Sequence, residues 1–241
     1  MKKSHSKFLA LIVSGLFMFS FNSHAQNDED YLPYSGSDIN IEAGIDIYSS
    51  YIWRGLKFGS GAAFQPYIEL HSGNFTLGAW NNISTGTDEA FEINLYASYE
   101  FPFGVTIGLT DYFEDANVFG KNFDNLKATH SLEPFSSYDY GDITFFGGLM
   151  FYQNEEGENK QDFYGEISFS FDQIDLAIGA GDGRYVTSPK WGTVGEFAVC
   201  NISVSHERTI KITESFSVPL KAAATLNPYN ERFFVYVGLS L

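Results

Sequence analysis

A single cysteine, Cys200, stands in a chain of 241 residues, so no intramolecular disulfide can staple the fold. Charge is also scarce, at 18% of residues against the roughly 25% of typical soluble domains. Cations are the scarcest of all: 14 Lys and Arg face 30 Asp and Glu, for a formal net charge of −16. That balance excludes a polyanion-binding surface, and with it nucleic acid as a partner. Past residue 25 no apolar run approaches the roughly 20 residues of a membrane-spanning helix, which excludes a helical membrane bundle. In excess are rings, at 17% of residues with 24 Phe and 15 Tyr. So many aromatics beside so little charge make a poor coat for a domain washed by water.

The first residues, MKKSHSKFLALIVSGLFMFSFNSHA, carry Lys2, Lys3 and Lys7, an apolar run from Phe8 to Phe21, then Ser23-His24-Ala25. A basic start, a short apolar stretch and a small-x-small site are the layout of a secretory signal peptide, so residues 1–25 are expected to be cleaved after Ala25. Cleavage removes three lysines and no acidic residue, taking the net charge from −16 to −19. Residues 26–37 (QNDEDYLPYSGS) then form an N-terminal segment, periplasmic or plugging, ahead of a single domain over 38–241.

Within that domain, alternation of apolar and polar residues recurs with little helical periodicity, as in FEINLYASYEF (91–101). The pattern predicts twelve strands near 39–54, 63–71, 75–84, 90–101, 104–112, 126–134, 142–152, 163–171, 174–181, 197–206, 215–226 and 232–241. The count is even, and most lengths lie near the roughly 9–11 residues that a tilted strand needs to cross a bilayer. Connections alternate long and short, from KFGSG through SGN, TGTD and PF to EDANVFGKNFDN, and again with PFSSYDYG, QNEEGENKQ, DQ and GDGRYVTSPKWGT. Hairpins of a barrel with long outer loops and short periplasmic turns produce this rhythm. HERTIKITE and NPYN break it, being long on the short side and short on the long side.

The fold class that follows is all-β: a closed antiparallel up-and-down transmembrane barrel. If the apolar faces pointed inward, Gly44, Tyr48, Gly78, Trp80, Tyr96, Gly108, Gly148 and Gly179 would have to solubilise the surface. Turned around, they fill a narrow lumen, and Ile45, Leu95, Ile107, Leu149, Ile167, Leu176, Val237 and Leu239 meet lipid. Closure is required because an unpaired backbone group in hydrocarbon costs several kcal/mol. Pro66 and Pro219 cannot donate to a ladder and are expected at bulges or strand ends. Cys200 shares parity with Ile202 and Val204, which predicts a lipid-facing thiol.

Residues 49–70 (SSYIWRGLKFGSGAAFQPYIEL), with FTLGAWNNIS (75–84) and FEINLYASYEF, resemble the TorF-type porin family of small bacterial outer-membrane barrels. The resemblance is carried by Tyr51, Trp53, Arg54 and Gly55; by Gln65 and Pro66; by Gly78 and Trp80; and by Glu92, Ile93, Leu95 and Tyr96. It departs at Asn94, where the pattern has Asp, and loosens beyond about 60 residues, resuming only in FSVPLKAAATLNP (216–228) and the last strand. What it implies is an outer-membrane location and a porin-like role, with no substrate attached.

Strand parity places Glu42, Asp46, Glu69, Glu92, Glu100, Glu166 and Asp175 in the lumen, against Arg54, Lys127 and Lys221. Trp80 and Tyr96 share that face, with Tyr48, Tyr67, Phe146, Tyr152, Tyr164 and Tyr236. The carboxylate excess predicts a mild preference for cations. The same charges also fit a bracing network, since buried charges require partners. Arg54 is singled out as the outer end of strand one, aimed inward, with a planar fork able to tie carboxylates across the barrel.

No catalytic, cofactor or metal residues are assigned. His71 and His130 have no recognisable nucleophilic partner in sequence, so enzymatic activity is not expected. DANVFG (115–120) begins like a calcium loop but has Phe119 at its fifth position and Leu126 where the closing glutamate belongs. GAGDG (179–183) is a strand end running into a loop, and NEEGEN (154–159) a solvated acidic loop. Expected partners are outer-membrane lipid and lipopolysaccharide, small solutes or ions, and the barrel-assembly machinery that inserts such chains. The leading expectation is a passive channel. A plugged structural or adhesive barrel, an outer-membrane hydrolase and a soluble periplasmic ligand-binding barrel are the alternatives.

Overall fold

A computed structural model describes residues 39–86, 91–114, 129–154, 157–186, 196–214 and 216–241. Residues 1–25, read above as a signal peptide, the segment 26–37, Lys127 and DANVFG lie outside the described residues, as do residues 155–156 of the NEEGEN loop. Among the described residues fourteen strands form in order: β1 (Ile39–Tyr48), β2 (Tyr51–Trp53), β3 (Leu56–Phe58), β4 (Ala63–Ser72), β5 (Phe75–Ser84), β6 (Phe91–Glu100) and β7 (Val105–Glu114); then β8 (Thr129–Tyr140), β9 (Ile143–Gln153), β10 (Asn159–Phe171), β11 (Ile174–Gly181), β12 (Ala198–Lys211), β13 (Ser217–Asn227) and β14 (Arg232–Ser240). Twelve close an antiparallel up-and-down barrel, β1 pairing with both β4 and β14, while β2 and β3 form a separate two-stranded hairpin. Among the described residues no helix is long and apolar enough to cross a membrane.

The faces divide as parity predicts. Leu95 and Ile167 are exposed at 56% and 49%, whereas Glu92 and Glu166 are buried at 6% and 5%. An interior of carboxylates, amides and tyrosines inside an exposed aliphatic wall is the reverse of a soluble core. The outer wall is also layered. Phe75, Tyr99, Phe103, Tyr138, Tyr140, Phe169 and Phe171 ring the short-turn rim, and Phe64, Phe151, Phe163, Phe197 and Phe233 ring the other. Between these girdles lie Ile68, Leu95, Ile107, Leu149, Ile178 and Val237.

Glycines on the inner face let the tyrosines lie flat. Gly44, Gly78, Gly108 and Gly238 stand directly opposite Tyr67, Tyr96, Phe135 and Tyr48 on the neighbouring strand. A Cβ at any of the four would collide with the ring that covers it. Each aromatic thus covers its neighbour's backbone and helps to fill a narrow barrel.

Five expectations are corrected. Strand one ends at Tyr48, not residue 54, because the chain turns into the lumen after it. PFSSYDYG and HERTIKITE are largely strand: β8 runs to Tyr140 and β12 to Lys211, since polar residues can continue a backbone ladder as readily as they can form a loop. The turn between β12 and β13 is therefore only 212–216, and the short side stays short. Pro66 lies at mid-strand without a bulge; pairing to β5 has the same register before it, at Phe64 and Ile83, as after it, at Tyr67 and Trp80. Pro219, the third residue of β13, is near a strand end as expected. Cys200 is fully buried, not lipid-facing, because it is the extra residue of a β-bulge between the pairs Gly179–Asn201 and Ala180–Val199.

Candidate functional site

The lumen holds two layers, a packed plug toward the long-loop rim and an acidic vestibule toward the short turns. The plug is the β2–β3 hairpin. Its two-residue turn, Arg54 and Gly55, has φ of 49° and 79°, the pair of positive values that a type I′ turn requires. Glycine takes this conformation freely, whereas a left-handed arginine costs about 1–2 kcal/mol. The surrounding contacts hold it there.

Arg54 is 4% exposed, and its fork grips Glu133 of β8, Nη1 to Oε1 at 2.6 Å and Nη2 to Oε2 at 2.9 Å. Nη1 also donates to the Tyr185 hydroxyl at 2.7 Å, and the Tyr112 hydroxyl donates to Glu133 Oε2 at 2.7 Å. The guanidinium carbon lies 4.5 Å from the ring centres of Trp53 and Tyr164 and 5.0 Å from that of Phe146. A delocalised, weakly hydrated cation suits such a cage of rings and one carboxylate better than an ammonium would.

The hairpin touches the wall on many sides. The Tyr51 hydroxyl donates to Glu92 on β6 at 3.1 Å, and its ring packs on Trp80 of β5. Trp53 packs on Tyr112 of β7 and on Tyr185. Asn227 of β13 donates to the Gly55 carbonyl at 3.1 Å, and a Cβ on Gly55 would collide with the Cys200 carbonyl of β12. Tyr185 and Val186, both fully buried, belong to a 3-10 turn (Gly183–Val186) that folds in after β11. Arg184 of that turn bonds Asp162 through Nε at 3.3 Å and covers Tyr152. Two inserted loop segments thus meet in the long-loop half of the barrel.

Other luminal carboxylates are held by side chains of the wall, Glu92 beside the plug and Asp175 and Glu69 in the vestibule. Glu166 accepts from Tyr164 at 2.5 Å and Asn201 at 2.9 Å, and Glu92 accepts from Asn94 at 2.7 Å. Asp175 accepts from Ser170 and Ser205. Lys221 stands in the field of Asp175, Glu207 and Asp46, and Glu100 is half-buried beside the short-turn rim. Glu69 accepts from Tyr96 at 2.5 Å and lies 3.1 Å from His71 Nε2. His130 is exposed on the outer wall, 3.0 Å from Asp111.

Glu42, Asp46, Glu69, Trp80, Glu92, Tyr96, Glu100, Glu166, Asp175 and Lys221 all lie on the inner face, and Arg54 reaches the lumen from the hairpin instead of from strand one. Glu133, the partner of Arg54, was missed although it shares parity with Lys127 and neighbours outward Leu132. Asp162 and Glu207 were missed because each falls just beyond a strand end drawn too short. Tyr185 carries no sequence signal at all, since a loop has no parity. No protein-family model matches this chain and no curated relative matches it, so what it does has to be argued from the barrel itself.

Proposed function

We infer that the chain is an outer-membrane barrel offering ions or small solutes a narrow, mildly cation-favouring path that the β2–β3 hairpin holds shut at rest. Support for the membrane comes from the exposed aliphatic belt between two aromatic girdles. The resemblance to TorF-type porins at Tyr51, Trp53, Arg54 and Gly55 supports the same reading, and those residues are the hairpin. Cation preference rests on the vestibule, where Asp46, Glu69, Glu100, Asp175 and Glu207 outnumber Lys221. In this reading the signal peptide exports the chain, assembly machinery inserts it, and lipid and lipopolysaccharide surround it. No catalytic group takes part.

The observation that carries closure is the Arg54–Glu133 pair, which ties an inserted loop to the wall across the lumen. A second reading, a barrel that never conducts, is favoured by the same pair, because a buried and fully caged ion pair is also what a permanent brace looks like. Planar-bilayer recording under a salt gradient separates them. The channel reading expects rare openings for the wild type, frequent ones for Glu133→Gln, and a reversal potential displaced toward cations. Silence in both, with correctly folded protein, leaves the structural barrel.

A further inference from the structure

Apart from the plug, the vestibule gathers one imidazole and two carboxylates. Glu42 and Glu69 are register partners on β1 and β4, and His71 follows Glu69 by two residues on the same inner face. One ligand atom from each of the three lies within 4.8 Å of the others. Two carboxylates placed directly opposite one another on a sheet repel, so the placement favours something positive between them.

The hydrogen bonds around them fix how the three side chains point. Tyr96 donates to Glu69 Oε1, leaving Oε2 turned toward His71, and Tyr67 donates to Glu42 Oε1 at 3.4 Å. His71 Nδ1 is 3.1 Å from Thr76 Oγ1. The tautomer that donates Nδ1–H to this hydroxyl turns the Nε2 lone pair toward Glu69 Oε2, two acceptors facing each other at 3.1 Å. That spacing is close to the roughly 3.4 Å between two donors of a tetrahedral ion bound at about 2.0–2.2 Å. Partners that hold a ligand's second atom, as Thr76 and Tyr96 do here, are how metal sites orient their ligands. The His71 side chain is 30% exposed and lies next to the last residue of β4, which gives a cation and its waters an entry from the short-turn side.

We propose that Glu42, Glu69 and His71 bind a divalent transition-metal ion of the Zn²⁺ class. One nitrogen and two carboxylate donors suit Zn²⁺ or Mn²⁺ better than Ca²⁺, which takes six to eight oxygens. The site does not depend on conduction, since a permanently plugged barrel contains the same cluster.

The test is a titration of the refolded full-length chain in detergent micelles, with Zn²⁺ by calorimetry and Co²⁺ by visible absorption. The wild type should bind one equivalent and give the absorption bands of a low-coordinate Co²⁺ site. His71→Ala and Glu69→Gln should each weaken binding by roughly ten-fold or more. His130→Ala, which removes an exposed imidazole on the outer wall, should bind as the wild type does. Where His71→Ala does not refold, His71→Gln, which retains a partner for Thr76, takes its place. No binding by the wild type, or undiminished binding in both the His71 and Glu69 variants, overturns the proposal; the first result assigns the contact to an imidazolium paired with Glu69.

Discussion

Arg54 draws three kinds of partner from different parts of the chain. Glu133 supplies charge, Tyr185 a hydroxyl, and Trp53, Phe146 and Tyr164 their ring faces. Truncating one member of a buried pair leaves the other charge uncompensated, at about 3–5 kcal/mol. Arg54→Ala should therefore lower the temperature at which the barrel loses its compact migration on a detergent gel, and Arg54→Lys should recover little of the loss, since an ammonium cannot grip both oxygens. Equal stability of all three proteins would show that the pair is incidental. That Arg54 would bond a carboxylate in the lumen was legible from charge, but its inward aim was read from the parity of a strand that ends at Tyr48, and the hairpin supplies it instead. Which carboxylate it bonds was not legible, because Glu133 and Arg54 are 79 residues apart and only closure of the sheet brings them together.

Among elements, the β2–β3 hairpin differs from every other strand pair in lying inside the barrel, not in its wall. Its alternation, buried Tyr51 and Trp53 flanking Ile52, reads in sequence like the continuation of strand one, and period two looks the same in a wall strand and in a hairpin. The distinguishing signal was the Arg54-Gly55 turn, where both residues need positive φ. Gly55→Ala meets an unfavourable backbone conformation and the Cys200 carbonyl together. It should release the hairpin without breaking the barrel, giving more frequent conductance steps in a bilayer at an unchanged compact gel mobility. Wall strands behave differently. Gly78→Ala drives a methyl into the Tyr96 ring and should destabilise the barrel by about 1–3 kcal/mol, read as an earlier unfolding midpoint in urea.

At the scale of the molecule the energetic statement concerns solvent on the outside. Leu95 sits in mid-strand on the apolar belt between the girdles. Leu95→Arg should cost about 2–4 kcal/mol in lipid vesicles, as expected for a cation at the bilayer midplane. Glu100→Gln, on the inner face at the short-turn rim, should leave folding unchanged and weaken any preference for cations. An arginine tolerated at residue 95 would mean that water, not hydrocarbon, bathes this wall.

The sequence by itself determined the number of barrel strands, the inside and outside of each wall strand, and the acidic character of the lumen. These follow from period-two alternation and composition, which are local and survive any error in where a strand ends. Only the tertiary structure decided that residues 51–58 fold inward, that Cys200 is turned in by a bulge, and that Glu133, Tyr185 and Arg54 meet. Those facts depend on closing twelve strands into one sheet, so that residues far apart in the chain compete for the same narrow interior.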